Sequence, residues 1–487
     1  METTVILPPT VLVKNYQLTC LLLLGSIVPL AAQSPFTPRI AAAYSHSLSI
    51  SPSGTVAAHG ENRSGELGDG TTTTRLNPVY LAPPAGQTWT QVLASDFRST
   101  ALTAAGEMYT WGSNGYGQFG DGTTTSRPIP TRIAPPTGTT WSGAAAGFGH
   151  TVALCANGSL YTWGDNYYGQ LGIGNIALTF SRQRIPSPAG LFWTQAAAGY
   201  SFSLALCSDG SLYTWGNNQD GQLGDGTTTS RSIPVRVTPP TGQTWTQVAG
   251  GFWSSAAICS DGSLYTWGNN DGGQLGNGTT AGQLVPVRVG PPAGLRWVQV
   301  SVGYKHILAI CSDGSLYSWG DNYYGQLGNS TNTGQRTPVR VAPPTGKQWV
   351  QVAAGAYHSV ALASDGQVYT TGYNFSGELG NGTTRSQNYF TRAYQTLATK
   401  AVSFAPVVAA TPNPFTEDIE LNLSTHVAGS VAVALYTPLG QCVKKETYAV
   451  TAATRSLKIH GLASLPMGVY LLQISTAGQK QTVKLVH

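Results

Sequence analysis

The chain has 487 residues, of which 10% are charged, and its net charge of +5 is small for that length. No lysine-rich or arginine-rich run occurs, so nucleic acid is excluded as the expected partner. With 59 glycines, 29 prolines, 41% apolar residues and no long stretch at helical spacing, the composition predicts an all-β, turn-rich chain with a sizeable core.

Residues 1–33 read as a secretory signal peptide: Lys14, an apolar run from Leu18 to Leu30, then Ala31 and Ala32 before Gln33. The run has the length of a signal-peptide apolar region and is too short to span a bilayer as a helix. A buried first strand or a membrane anchor is the alternative. Cys20 precedes most of the run, which is the wrong place for a lipoprotein cysteine. No other segment is apolar enough to cross a membrane, so the mature chain is expected to be exported with no transmembrane span.

Next comes a repeat. The stretch Ser211–Thr227, SLYTWGNNQDGQLGDGT, has counterparts throughout most of the chain, and its glycine recurs as Gly60, Gly112, Gly164, Gly216, Gly268, Gly320 and Gly372, 52 residues apart. In the fifth copy four β-forming segments follow one another: Trp245–Gly250, Ser254–Cys259, Ser263–Trp267 and Val285–Val289. The second and third are joined through Asp261-Gly262, a strong two-residue hairpin signal because both central residues need positive φ. Each repeat is therefore one four-stranded antiparallel sheet. Strands such as Val152–Cys155 are apolar or small on both faces, so neighbouring sheets must cover both sides. Radial packing of seven such units over residues 34–398 predicts a seven-bladed β-propeller. A linear solenoid would need distinct capping repeats, and the first and last copies are only mildly degenerate.

The Gly-aromatic-x-His turn (Gly147–His150), the Asp-Gly hairpin, the Tyr-Thr-Trp-Gly strand and the Asn-x-x-Gly-Gln-Leu-Gly loop (Asn218–Gly224) resemble the repeat of the regulator of chromosome condensation family. The resemblance covers all seven copies and implies a seven-bladed propeller. The tryptophan-aspartate repeat is shorter and lacks this loop.

Comparing the copies separates construction from variation. Asn62, Asn114, Asn166, Asn218, Asn270, Asn322 and Asn374 are constant, as suits an Asx-type side chain bonding its own loop. Two places vary and are rich in aromatics. One is the pair after that asparagine, which includes Tyr116, Tyr167, Tyr168, Tyr323, Tyr324 and Phe375. The other is the connection between the first and second strands, which includes Phe97, Phe202, Trp253 and Tyr357. In an up-and-down blade both connections lie on one face of the disc. Rigid aromatics on loops held by a scaffold are where binding residues usually sit, so these ten residues are the candidate binding set. The alternative is that their rings only close the top of the core; Phe252 and its counterparts are expected to be core more than Trp253.

His46, His150, His306 and His358 share one repeat position, but no carboxylate or cysteine is spaced to complete a metal site, so no metal is expected and the position reads as structural. Cys155, Cys207, Cys259 and Cys311 also share a position. A blade spacing should exceed the Cα separation of about 4.4–6.8 Å that a disulfide needs, so buried free thiols are expected. Arg132, Arg184, Arg236, Arg288, Arg340 and Arg392 recur on the fourth strand, where charge blunts an exposed edge. No phosphate loop, zinc motif or nucleophile elbow is present, and no cofactor or catalytic residue is assigned.

From Thr399 the period is lost. Residues 399–410 read as a linker, and 411–487 as a small C-terminal β-sandwich with strands near 419–423, 431–436, 441–448, 456–459, 469–475 and 481–486. Thr411–Phe415, Leu435–Gly440, Leu465–Ile474 and Lys484–His487 resemble the C-terminal sorting domain of type IX secretion. That resemblance implies passage through the periplasm, recognition of residues 411–487 by the type IX machinery, and release or attachment to surface lipopolysaccharide once the tail is removed. An ordinary adhesive sandwich is the alternative.

The exchange-factor activity of the family's name-giving member depends on a nuclear GTPase that such an exported chain would not meet. The expected function is a secreted or cell-surface scaffold that binds an extracellular protein or glycan, and not an enzyme. The alternatives are a polysaccharide lyase or hydrolase, and a structural surface component.

Overall fold

The computed structural model describes residues 39–51, 54–393, 410–411, 417–422, 429–437, 442–450, 456–476 and 479–487. The signal-peptide reading of residues 1–33 falls outside the described residues, as do most of 399–410 and Pro412–Phe415. The described chain divides into two units, split between Ala393 and Tyr394.

The first unit is a ring of seven four-stranded antiparallel sheets, each taking its strands in sequence order from one continuous stretch. Blade five shows the pattern: Trp245–Gly250, Ser254–Cys259, Leu264–Gly268 and Gln283–Val289, running from the axis outward. The second strands are buried along their whole length in every blade. The apolar clusters lie between sheets; one joins Phe202, Leu204 and Leu223 of blade four to Trp245, Val248 and Trp267 of blade five. This two-sided burial is why the strands lack a polar face.

Among the described residues neighbouring blades share no strand ladder; besides single backbone bonds such as Phe148 N to the Tyr200 oxygen at 3.0 Å, side chains couple them. The strand-three tryptophan of one blade donates to a loop carbonyl of the blade before it: Trp215 Nε1 to the Gln170 oxygen at 2.8 Å, and likewise Trp111, Trp163, Trp267 and Trp319 to Glu66, Gln118, Gln222 and Gln274. The loop glycine beneath that ring, Gly172, has φ +72°, and a Cβ there would lie 2.8 Å from the indole nitrogen. The periodic glycine has its own cause: Gly112 has φ +96°, and a Cβ would come within 2.4 Å of the Phe97 carbonyl oxygen. Any other residue would strain the backbone and the contact at once.

The ring closes without strand exchange. At the seam, blade seven meets blade one through Ala356 N to Ala43 O at 3.0 Å, Ser47 Oγ with His358 Nε2 at 2.8 Å, and Gln351 Oε1 accepting from the amides of Arg39 and Ile40. His59 stands where five other blades have tryptophan, its Nδ1 3.1 Å from the Gly377 oxygen. In blade seven the tryptophan is Thr371, and Phe390 supplies the ring under Gly328 instead.

The C-terminal unit has a three-stranded sheet of Ala410–Thr411, Ile419–Asn422 and Ser456–Ile459 and a four-stranded sheet of Gly429–Tyr436, Cys442–Val450, Val469–Thr476 and Gln479–Val486. Ile419, Leu421 and Ile459 of the first sheet pack in one core with Val431, Val433, Leu435 and Leu472 of the second, which makes a β-sandwich.

Candidate functional site

The loops of one face are held from below. Asn218 ties its loop together: Oδ1 accepts from Leu223 N at 2.9 Å, while Nδ2 donates to the oxygens of Thr227 and Thr229 at 3.0 and 3.1 Å. The other six asparagines repeat this pattern. The constant residue thus spans eleven positions of its own loop, a wider bridge than an Asx turn. Leu223 plugs into the core and leaves Gln219 and Asp220 turned outward.

The two variable sets meet in space. A continuous series of ring contacts runs Tyr116–Phe148–Tyr200–Phe252–Tyr304–Tyr357, with centroid separations of 5.8, 4.6, 5.2, 4.8 and 5.2 Å. It continues through Tyr324, Tyr373 and Phe375 at 5.6, 4.9 and 4.7 Å. Tyr44 leans across from blade one to within 6.2 Å of Phe252 in blade five and 5.8 Å of Tyr357. Trp253 packs against Tyr304 at 4.7 Å in a tilted contact, with Lys305 Nζ 5.9 Å from the centre of that same ring. Below these rings a cavity of about 1160 Å³ follows the axis, walled by the first strands and capped by Asp96, Phe148, Tyr200 and Phe252.

Of the expected residues, Tyr116, Trp253, Tyr324, Tyr357 and Phe375 belong to this series or touch it. Tyr167 and Tyr323 protrude, 72% and 73% exposed, each held edge-on by its neighbour, Tyr168 or Tyr324. Phe97 is at the surface. Phe202 is a correction: it is fully buried. It opens the second strand, and its side chain turns into the junction between blades four and five. The inner ring Tyr44, Phe148, Tyr200, Phe252 and Tyr304 is half-buried to exposed, and the expected difference between Phe252 and Trp253 is not marked, both being half-buried. The clue was present: this position is aromatic in five of seven copies, and inner loops of a ring converge on an open axis.

The histidines occupy the position of Phe202 in other blades. His46, His150, His306 and His358 place Nε2 2.8–3.0 Å from Ser99, Ser203, Ser359 and Ser47 of the following blade. Each serine hydroxyl donates to a loop carbonyl: Glu66, Gln170, Gln326 and Glu378, respectively. It must therefore accept from the imidazole, which fixes the neutral Nε2–H tautomer and leaves Nδ1 without a partner. Burial drives all four down to about 3. They are interblade latches. In blade two Arg98 does the same work, donating to Thr151 Oγ1, to the Gln118 oxygen at 2.6 Å and to the His150 oxygen at 2.9 Å. Cys155, Cys207, Cys259 and Cys311 are buried free thiols.

Comparison with known proteins agrees with this architecture. The RCC1-like domain family matches residues 26–251 and 183–408, and the secretion system C-terminal sorting domain matches 410–487. The chain is 33% identical over 351 residues to the ultraviolet-B receptor UVR8 of Arabidopsis thaliana, covering 72% of this chain and 80% of that one. It is 32% identical over 343 residues to human E3 ubiquitin-protein ligase HERC2, 70% of this chain but only 7% of that much longer protein. Among solved structures, human WBSCR16 superposes with TM-score 0.60 at 26% identity, covering 66% of this chain and 85% of that one. Yeast RCC1 (Prp20), in its complex with Kap60, gives 0.64 at 23%, with 72% and 86% covered. The chain belongs to the RCC1-like domain family, and its propeller is followed by a secretion-system sorting domain.

Proposed function

We propose that this is an exported binding protein, attached to the cell surface or released from it, whose aromatic loop face captures an extracellular protein or glycan without chemical conversion. The observation that supports the reading is the unbroken series of rings from Tyr116 to Phe375, partly open to solvent and mounted on latched, buried blades. Large rigid rings lose little side-chain entropy on contact, and contiguous exposed apolar surface on an otherwise well-packed domain marks an interaction site. The sorting domain at 410–487 accounts for how such a face would reach the exterior. The relatives' receptor and ligase names describe those proteins.

The test is a triple variant, Tyr168→Ala, Trp253→Ala and Tyr324→Ala, in the full chain. Glycan arrays and envelope-protein pull-downs should identify a partner for the unaltered chain. The variant should lose that partner while melting within a few degrees of the parent. Retained capture overturns the reading.

A further inference from the structure

One member of the inner ring is acidic. Asp96 holds in blade two the position that is tyrosine, phenylalanine or alanine in the other six blades, so blade construction does not call for a carboxylate there. It is 7% exposed, and among the described residues none hydrogen-bonds its carboxylate. Together with Phe148, Tyr200 and Phe252 it lines the axial cavity at the aromatic end. Arg98 is near in sequence, but its guanidinium is committed to Gln118, Thr151 and His150 across the next junction and forms no ion pair with Asp96. Burial pushes Asp96 up to about 7, opposed only by the field of Arg98. Tyr200 is raised to about 12, by burial first and then by Asp96, Tyr116, Tyr44 and Asp165, so its hydroxyl shares this region with two carboxyl groups.

An unpaired carboxylate in an apolar site is costly. Beside aromatic side chains that line the same cavity, it supplies both halves of an alkylamine site: a carboxylate for the ammonium head and apolar wall for its stem. We propose that Asp96, Phe148, Tyr200 and Phe252 form a socket for a protonated alkylamine, the chemistry of a lysine side chain on a partner protein. The ammonium donates to the Asp96 carboxylate and the Tyr200 hydroxyl, and the methylene stem lies along Phe148 and Phe252. The inference rests on the reading of this face as the binding surface, and it names the group that the face would select.

The test titrates n-butylammonium chloride, and separately n-butanol, into the full chain by calorimetry. Butylammonium should bind saturably and butanol should not. Asp96→Asn, which keeps shape and loses charge, should weaken butylammonium by about ten-fold or more, and Phe148→Leu by about three-fold. Absence of saturable binding, or unchanged affinity in Asp96→Asn, overturns the socket. The triple variant at Tyr168, Trp253 and Tyr324 should still bind butylammonium, and that result supports the socket whatever becomes of partner capture. Nα-acetyl-lysine methylamide should compete with butylammonium; competition by glucosamine alone overturns the lysine assignment.

Discussion

The junction between blades three and four and the junction between blades four and five occupy equivalent places in the ring, yet they are filled by opposite chemistry. In the first, His150 reaches Ser203 at 3.0 Å. In the second, Phe202 fills the same volume and Ser255 is left to its loop carbonyl, Gln222, at 2.7 Å. The junction between blades five and six goes further, pairing Ser254 with Ile307, both buried. What the position demands is filled, dry volume between sheets; a hydrogen bond is optional. The polar filling carries a liability that the apolar one does not, because a buried neutral imidazole can be charged.

Acid should separate the two kinds of junction most strongly. His46, His150, His306 and His358 are held near 3, and His59 near 4, all by burial. Their folded values lie below the ordinary 6.5, so the unfolded chain binds more protons, and stability present above 6.5 is lost as pH falls towards 4. Glu66, Asp96 and Glu378 work the other way: raised to about 7 by burial, they favour the fold at low pH and lose that contribution as pH rises through 7. Thermal melts from pH 4 to 8 should therefore peak near neutrality and fall steeply on the acid side. His150→Phe, copying Phe202, should flatten the acid limb; parallel curves would remove the imidazole from the account.

A smaller effect distinguishes the regular junctions from the seam. Trp215→Ala deletes a fully buried indole and its bond to the Gln170 oxygen, and should cost about 3–5 kcal/mol in urea unfolding. His59→Ala removes the smaller ring at the seam and should cost about 1–3 kcal/mol. Equal losses would mean that the seam is packed like any other junction.

The smallest effect is a gain. Five blades have glutamine where blades one and seven have Glu66 and Glu378. Gln170 accepts from the Tyr168 amide and donates to Asp165 Oδ2 at 2.7 Å. Glu66 accepts from the Ser64 amide, but its other oxygen is buried without a partner, and Glu61 adds repulsion. Glu66→Gln and Glu378→Gln should each stabilise the chain by on the order of 1–2 kcal/mol at pH 8 and by nothing measurable at pH 4, where the carboxyls are protonated in both states. Equilibrium unfolding at the two pH values checks this.

The ring and its blade count are legible in the 52-residue spacing because each repeat is one complete sheet. Strand ends are less so: the fourth strand of blade five begins at Gln283, two residues before Val285, because pairing of Gly268 with Gln283 follows a bulge that apolar content does not reveal. Phe202 and Phe252 show why this face is only partly legible in sequence. Both are aromatic and lie two residues apart in repeat register, but one begins a strand and turns sideways into a junction, while the other ends on an open axis. Which way a ring turns depends on the neighbouring blade. The burden on Asp96 is likewise set by what surrounds it, and a single carboxylate in a loop looks ordinary in sequence.

Each blade takes all four strands from one stretch of chain, so no sheet is stitched from both ends. The propeller thus has no topological lock. Blades can form one after another as the chain emerges from a pore, with the last step being only the docking of two finished surfaces. Under tension that seam can part and reseal without tearing a ladder, and the same ring could be cut at another blade-to-blade loop, giving a circular permutant with every sheet intact.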